Sequence, residues 1–149
     1  MPTFTWWIDE PVLKGSANPT DEDLAELRAQ GFATALSLLE EDKQPARHDK
    51  ASTKAAGWSI DSIPVEESSA PSLDQIREFA NRLQGMPPGT KVVVFCESGL
   101  GRTAFMGAVY WIMKGYTARM RLLTSTRHPE RLTGQLKNGS GFSLNTSGR

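Results

Sequence analysis

Residues 91–104 read KVVVFCESGLGRTA, and this stretch sets the fold expected for the whole chain. After Lys91, four apolar residues predict a strand buried on both faces, as at the centre of a parallel sheet. The apolar run AFMGAVYWIM over residues 104–113 is typical of a buried helix. The segment between them contains two glycines and Cys96, the only cysteine of the chain. We therefore expect a strand, a tight loop and a helix in this order.

Strand and helix patterns alternate along the rest of the chain. Predicted strands lie within residues 4–8, 12–19, 32–40, 58–65 and 91–95. Predicted helices lie within residues 20–31, 72–85, 103–114 and 117–128, and a short one ends at Gly57. The first helix starts from Thr20 as N-cap, and the second follows a capping box formed by Ser72 and Gln75. This second helix carries an apolar stripe of Leu73, Ile76, Phe79, Ala80 and Leu83. The alternation predicts an α/β fold of three layers, in which a central, mostly parallel sheet is flanked by helices.

The composition limits the class of protein and partner. The 149 residues fit one domain over residues 1–130, while 131–149 have little apolar pattern and predict a poorly ordered tail. The 17 basic and 17 acidic residues give a net charge of zero, which does not suggest a polyanion-binding or membrane protein. A single cysteine cannot form an internal disulfide, and the first residues lack the pattern of a signal peptide. We expect a cytoplasmic monomer without nucleic-acid or membrane partners.

The loop that begins at Cys96 has the features of an anion site. Its glycines permit the backbone angles of a nest of inward-facing amides, contributed by Glu97, Ser98, Gly99, Leu100, Gly101 and Arg102. The N-terminus of the following helix adds about half a positive charge, and the guanidinium of Arg102 matches two phosphate oxygens. These groups are expected to lower the pKa of the Cys96 thiol from about 8.5 to about 3.5–7.5. With the hydroxyl of Thr103 beside the sulfur, Cys96 is a candidate nucleophile.

Simpler interpretations of these residues remain open. Cys96 is compatible with a buried, inert cysteine beside an ordinary turn, and Arg102 with a structural ion pair. A core cysteine does not require the arginine, however, and an arginine at a helix start opposes the helix dipole unless an anion is bound there. The combination favours the reactive loop.

Cys96, Gly99, Arg102 and Thr103 match the C-x-x-G-x-x-R-[ST] signature of the cysteine-dependent protein tyrosine phosphatase superfamily. The order of elements over residues 4–129 resembles that of the small dual-specificity phosphatases. The resemblance implies hydrolysis of phosphotyrosine and of phosphoserine or phosphothreonine through a phosphocysteine intermediate. The substrate would be a phosphorylated protein or a small phosphomonoester.

Residues 63–79, IPVEESSAPSLDQIREF, resemble the family's general-acid loop and the helix after it. The family usually has an aspartate four residues before the proline, where this chain has Glu67, so the resemblance implies that Glu67 protonates the leaving group. Glu66 is the alternative, and two solvated carboxylates are the simpler interpretation. Asp61 and Asp74 are less well placed, because the first lies within a strand and the second in a capping turn.

Two residues depart from the family pattern. Phe95 stands where the family usually has a histidine, so the hydrogen bonds that histidine gives the loop are absent and weaker activity is expected. Glu97 is unusual next to the nucleophile. Its side chain is expected to point outward and to place a negative charge on the rim, which disfavours polyanionic substrates.

Other polar residues are weaker candidates. His48 and His128 are expected at the surface, and Gln135 could match a water-positioning glutamine of related enzymes. No closely spaced set of His, Cys and Asp resembles a metal site, so chemistry without a metal or cofactor is expected. The charges from residue 114 onward form a basic end, expected to be a solvated face: Lys114, Arg119, Arg121, Arg127, Arg131, Lys137 and Arg149, with Glu130 as the acidic exception.

Other functions compete with the phosphatase. A rhodanese-like sulfurtransferase also places a cysteine in an amide-lined loop, although its loop is typically shorter. A catalytically weak pseudophosphatase that binds phosphoproteins is slightly favoured by Phe95 and Glu67, whereas Cys96 and Arg102 count against it. An arsenate reductase is disfavoured because it needs further cysteines.

Overall fold

The computed structural model describes residues 3–125, which form a five-stranded sheet and four helices. In chain order the elements are β1 (Thr5–Asp9), β2 (Leu13–Ser16), α1 (Asp21–Ala29), β3 (Thr34–Ser37), α2 (Lys50–Ala55), β4 (Ser59–Ser62), α3 (Leu73–Gln84), β5 (Val92–Phe95) and α4 (Gly101–Ser125). The predicted α/β architecture, a mostly parallel sheet flanked by helices, is confirmed.

The strand order is β1-β2-β5-β3-β4, so β5 lies at the centre of the sheet as its sequence predicts. β5 pairs in parallel with β2 on one side and with β3 on the other, and β3 pairs in parallel with β4. All four residues of β5 are buried. β1 is antiparallel to β2 at the edge. Because β2, β3 and β5 end at the same edge in register, Ser16, Ser37 and Phe95 lie side by side where the loop begins.

The sheet packs against a hydrophobic cluster that fixes β5 from one face. Val93 and Phe95 of β5 belong to it. Their buried partners are Leu24, Leu27, Phe32, Ala35, Leu39 and Trp58. Burying large apolar side chains stabilises a fold by about 1.5–3 kcal/mol each. The strand that leads into Cys96 is therefore held rigidly.

The predicted helix caps are present. Thr20 accepts a hydrogen bond from the backbone of Asp23, whose carboxylate accepts one from the backbone of Thr20. Ser72 and Gln75 form the same reciprocal box at the start of α3. Burial acts to raise the pKa of Asp23, but the hydrogen bonds from Thr20 and Thr3 outweigh it and hold the pKa below its ordinary value.

Two expectations about the helices are wrong. Leu73 is 61% exposed rather than part of a buried stripe, and of this helix only Phe79 is fully buried, while Ile76, Ala80 and Leu83 are half-buried. The two helices predicted over 103–114 and 117–128 are one helix, α4, as far as Ser125. Gly115 costs about 1 kcal/mol relative to alanine in a helix interior but does not remove a hydrogen bond, so it does not end the helix.

The chain divides into two units, Met1–Val109 and Tyr110–Arg149. The first contains the sheet and the Cys96 loop. In the second, the ring centroids of Tyr110 and Trp111 lie 5.4 Å apart, edge to face. The tail predicted for 131–149 lies outside the described residues. Within residues 3–125, no helix is long and apolar enough to cross a membrane.

Candidate active site

The loop between β5 and α4 closes on Gly99. This glycine has φ +79°, and a Cβ there would lie 2.5 Å from the backbone nitrogen of Ala17. Its carbonyl accepts a hydrogen bond of 2.8 Å from Nε1 of Trp6. Gly99 therefore supplies the left-handed backbone that was expected of it. Gly101 does not: it begins α4 without a left-handed φ, and a Cβ there would meet nothing within 4 Å.

Cys96 and Thr103 are in direct contact. The Thr103 hydroxyl donates a hydrogen bond of 3.0 Å to the Cys96 sulfur. Cys96 is only 1% exposed and Thr103 is fully buried, so this pair lies at the bottom of the loop. A hydroxyl donor stabilises a thiolate more than a thiol, because the thiolate only accepts hydrogen bonds.

Arg102 projects from the first turn of α4 into the interior and is 4% exposed. Its Nη1 donates to the carbonyl oxygens of Leu38 and Val65, at 3.3 and 3.0 Å, and to Oε1 of Gln44 at 2.9 Å. Nε and Nη2 of Arg102 donate to no acceptor within the described residues. Neither is a buried atom left without a partner, so both remain accessible. One edge of the guanidinium is thus fixed by protein acceptors, and the other is available to an anion.

The amides of the loop are only partly used by the protein. That of Leu100 donates to the hydroxyl of Ser98 at 3.2 Å. Those of Glu97, Ser98 and Gly99 donate to no acceptor in the described part of the chain. The first amides of α4 also lack intrahelical acceptors, as at any helix start. Unpaired amides beside a helix N-terminus and a guanidinium form an environment suited to a phosphate dianion.

Glu97 does not place an uncompensated charge on the rim. Its two carboxylate oxygens accept from Nη2 of Arg47 at 2.8 Å and from Nδ2 of Asn18 at 3.1 Å. Asn18 also receives, through Oδ1, the backbone N–H of Arg47. The negative charge expected at the rim is therefore balanced by Arg47.

His48 is buried rather than at the surface. It is 8% exposed, and its ring stands edge-on to that of Phe95, with centroids 6.2 Å apart. No partner within the described residues binds its Nδ1. Phe95 itself is fully buried in the core cluster, so packing rather than hydrogen bonding supports the loop at this position.

The two loop carboxylates have different partners. Oε1 of Glu66 accepts from the hydroxyl of Ser69 in its own turn, at 3.0 Å. Oε1 of Glu67 accepts from Nε2 of Gln44 at 2.7 Å. Because Gln44 also binds Arg102, Glu67 is connected to the Cys96 loop through one side chain. The loop that carries Glu66 and Glu67 is held in place by Gln75, whose Nε2 donates to the carbonyl of Pro64 at 2.6 Å.

The other two carboxylates considered from the sequence face arginines of α3. Asp61 forms an ion pair of 2.6 Å with Arg82, and Asp74 lies 3.7 Å from Arg77. His128 and Gln135 lie outside the described residues. Among residues 3–125, no group of three or more His, Cys, Asp or Glu side chains could hold a metal ion.

Sequence reasoning missed three residues that organise the loop: Asn18, Gln44 and Arg47. Asn18 follows a strand and Gln44 and Arg47 lie in a polar segment between β3 and α2, so no periodic pattern marks them. Their polar character alone is typical of solvated loops.

The sequence over residues 12–116 matches the family described as Tc-R-P, a DSP-PTPase phosphatase of polymorphic toxin systems. The chain belongs to this family. It is therefore a cysteine-based phosphatase related to the dual-specificity and protein tyrosine phosphatases, as the signature around Cys96 implies. No curated protein matches the sequence.

Three solved structures have a similar fold. Tk-PTP in its active form is 25% identical, with a TM-score of 0.59, and the match covers 84% of each chain. PTPMT1 in complex with PI(5)P is 20% identical, with a TM-score of 0.59 over 68% of this chain and 67% of the other. TpbA of P. aeruginosa is 24% identical, with a TM-score of 0.55 over 69% of this chain and 60% of the other. The last two show likeness of fold alone.

Proposed function

We propose that this phosphatase hydrolyses phosphomonoesters through a phosphocysteine formed on Cys96, and that it accepts phosphotyrosine and phosphoserine or phosphothreonine in proteins. The observation that carries the proposal is the contact of 3.0 Å between the Thr103 hydroxyl and the Cys96 sulfur, in a loop whose amides and Arg102 have free donors. A nucleophile, its stabilising donor and an anion clamp are thus contributed by residues 96–103.

In the first step, the Cys96 thiolate attacks phosphorus in line with the ester oxygen. The S–P bond forms, the P–O bond breaks, and Glu67 transfers its proton to the departing oxygen. Arg102 and the loop amides hold the three equatorial oxygens, whose charge they stabilise in the transition state. The products of this step are an alcohol or phenol, phosphocysteine and an ionised Glu67.

In the second step, water attacks the phosphorus of the phosphocysteine. The carboxylate of Glu67 accepts a proton from the water, so that it is ready for the next cycle. The S–P bond breaks, inorganic phosphate leaves, and the hydrogen bond from Thr103 stabilises the departing thiolate. Protons balance over the two steps because Glu67 gives one and recovers one.

The substrate class is proposed from the signature and the family. Proteins of this fold have been solved with different ligands: PTPMT1 with PI(5)P, and a form of TpbA with pTyr. The fold is therefore compatible with PI(5)P and with pTyr in those proteins. Arg47 compensates Glu97 at the loop, so a dianionic phosphate would meet no free carboxylate from that residue.

The test is hydrolysis of p-nitrophenyl phosphate in EDTA by the wild type and by Cys96→Ser. We expect activity that vanadate inhibits and that the substitution abolishes, followed by release of phosphate from phosphotyrosine and phosphoserine peptides. Tight binding of phosphopeptides without turnover would instead establish a pseudophosphatase. Transfer of sulfur from thiosulfate to cyanide, without phosphate release, would establish a sulfurtransferase.

The acid is tested with a pair of variants. Glu67→Gln should slow cleavage of phenyl phosphate by about 10²–10⁴-fold, and cleavage of p-nitrophenyl phosphate far less, because the acidic leaving group needs no proton. Glu66→Gln is the matched control, since its carboxylate binds Ser69 instead. Equal slowing of both esters by Glu67→Gln would remove Glu67 from this role.

A further inference from the structure

Gln44 lies between the two charged groups of the proposed reaction. It follows β3 in a tight turn, where its backbone N–H donates to the carbonyl of Glu40 at 2.7 Å. Its side-chain Oε1 accepts from Nη1 of Arg102 at 2.9 Å, and its Nε2 donates to Oε1 of Glu67 at 2.7 Å. One amide thus spans from the buried arginine to the exposed carboxylate.

The chemistry of the neighbours fixes which way this amide points. A guanidinium has N–H donors and no acceptor, so the amide oxygen must face Arg102. The amide NH₂ then faces Glu67 and requires an acceptor there. The Glu67 oxygen that it binds must therefore be the unprotonated one, in the carboxylate and in the carboxylic acid alike. When Glu67 is protonated, its proton is left on the other oxygen, Oε2.

We propose that Gln44 is a positioning residue that aims the acidic proton of Glu67 at the leaving group and ties that aim to Arg102; this inference rests on the proposed function. Gln44 touches neither the phosphorus nor the leaving oxygen in this scheme. It acts by restricting rotation of the Glu67 carboxyl, and it sets this rotation relative to the guanidinium that holds the phosphate.

The backbone around the amide makes the connection rigid. Nη1 of Arg102 also binds the carbonyls of Leu38 and Val65, and Val65 stands two residues before Glu67. The N–H of Val65 in turn donates to the carbonyl of Leu38 at 3.1 Å. Three acceptors share the two protons of Nη1, so removal of Gln44 still leaves Arg102 with two carbonyl partners.

Because Arg102 keeps two carbonyl partners without Gln44, a Gln44 variant can test the positioning of Glu67 separately from phosphate binding. Gln44→Met removes both hydrogen bonds at similar side-chain length. We expect kcat for phenyl phosphate to fall by about tenfold to a hundredfold. We also expect KM, inhibition by vanadate and cleavage of p-nitrophenyl phosphate to change little, because Arg102 remains held by Leu38 and Val65. Gln84→Met, on the exposed end of α3, is the matched control and should change none of these values.

Two further variants separate positioning from a structural role. Gln44→Glu can still accept from Arg102 but cannot donate to Glu67, so it should slow phenyl phosphate cleavage at least as much as Gln44→Met. In the Glu67→Gln background, Gln44→Met should cause no additional slowing, since the proton that it would aim is gone.

The outcomes separate this inference from the proposed function. If the wild type does not depend on Cys96, the proposed function fails. If Cys96 is required but both Gln44 variants cleave phenyl phosphate at the wild-type rate, only the positioning role fails. Equal slowing of both esters, or additive losses with Glu67→Gln, would also overturn it by showing that Gln44 serves the loop as a whole. Should Gln44→Met not fold, Gln44→Glu alone decides between these results.

Discussion

Replacement of Gly99 by alanine should damage the phosphate loop far more than the same replacement of Gly101, two residues away. At Gly99 the backbone has φ +79°, and the new Cβ would lie 2.5 Å from the nitrogen and 3.0 Å from the Cα of Ala17. At Gly101 the new Cβ would have open space within 4 Å, at the start of a helix. The two substitutions add the same methyl group to one loop in different backbone environments.

The expected cost follows from these two environments. A left-handed backbone costs a non-glycine residue about 1–2 kcal/mol. Relief of the contact requires Ala17 to move, although its N–H is bonded to the carbonyl of Phe4 at 2.9 Å; overpacking of this kind costs about 1–3 kcal/mol. Gly99→Ala should therefore lower the free energy of unfolding by about 2–5 kcal/mol in all. Gly101→Ala should leave it unchanged or raise it by about 0.4–1 kcal/mol.

Urea unfolding and enzyme kinetics together measure the effect. The urea curve gives the folded fraction of Gly99→Ala, so its activity can be compared with that of the wild type per folded molecule. We expect kcat/KM for p-nitrophenyl phosphate to fall by about a hundredfold and vanadate inhibition to weaken, because loop atoms shift by a large fraction of an ångström. If Gly99→Ala matched Gly101→Ala in stability and kinetics, the inferred loop geometry would be refuted.

Two other predictions concern charged residues. Asp23 has a lowered pKa, so it stabilises the fold above its unfolded value of 3.8, and this contribution is lost as the pH falls through the folded pKa. Asp23→Asn should therefore lower Tm at pH 7 and weaken the acid dependence of Tm, and an unchanged acid dependence would contradict this. Arg47→Met should raise KM for p-nitrophenyl phosphate, because it leaves the carboxylate of Glu97 uncompensated beside the loop. Adding Glu97→Gln to the same chain should return KM to the wild-type value, and an unchanged KM in Arg47→Met alone would contradict the electrostatic reasoning.

Local patterns predicted the elements that depend on local interactions. The caps at Thr20 and Ser72 follow from hydrogen bonds between residues three apart, and the central position of β5 follows from an unbroken apolar run. The signature from Cys96 to Thr103 is also contiguous, so the contact between these two side chains could be expected from sequence.

Features that depend on distant contacts could not be predicted in this way. His48 lies in a polar segment, and only the tertiary fold packs its ring against Phe95. The charge of Glu97 is compensated by Arg47, 50 residues away in the chain. Leu73 fits the helical period, yet the tertiary fold leaves it 61% exposed. In each case the residue type was known, and the partner was supplied by the fold.

The difference between local and distant contacts also explains why a signature motif does not by itself make an active site. The acceptors that orient Arg102 come from Leu38 after β3, Gln44 in the next turn and Val65 after β4. They converge only because β3 lies between β5 and β4, which brings the ends of three strands to one edge of the sheet. In a different strand order, residues 96–103 could still form a loop, but Nη1 would lose its three acceptors and the guanidinium would be free to rotate. The sheet order thus orients the anion clamp, and through Gln44 it also places Glu67 relative to that clamp.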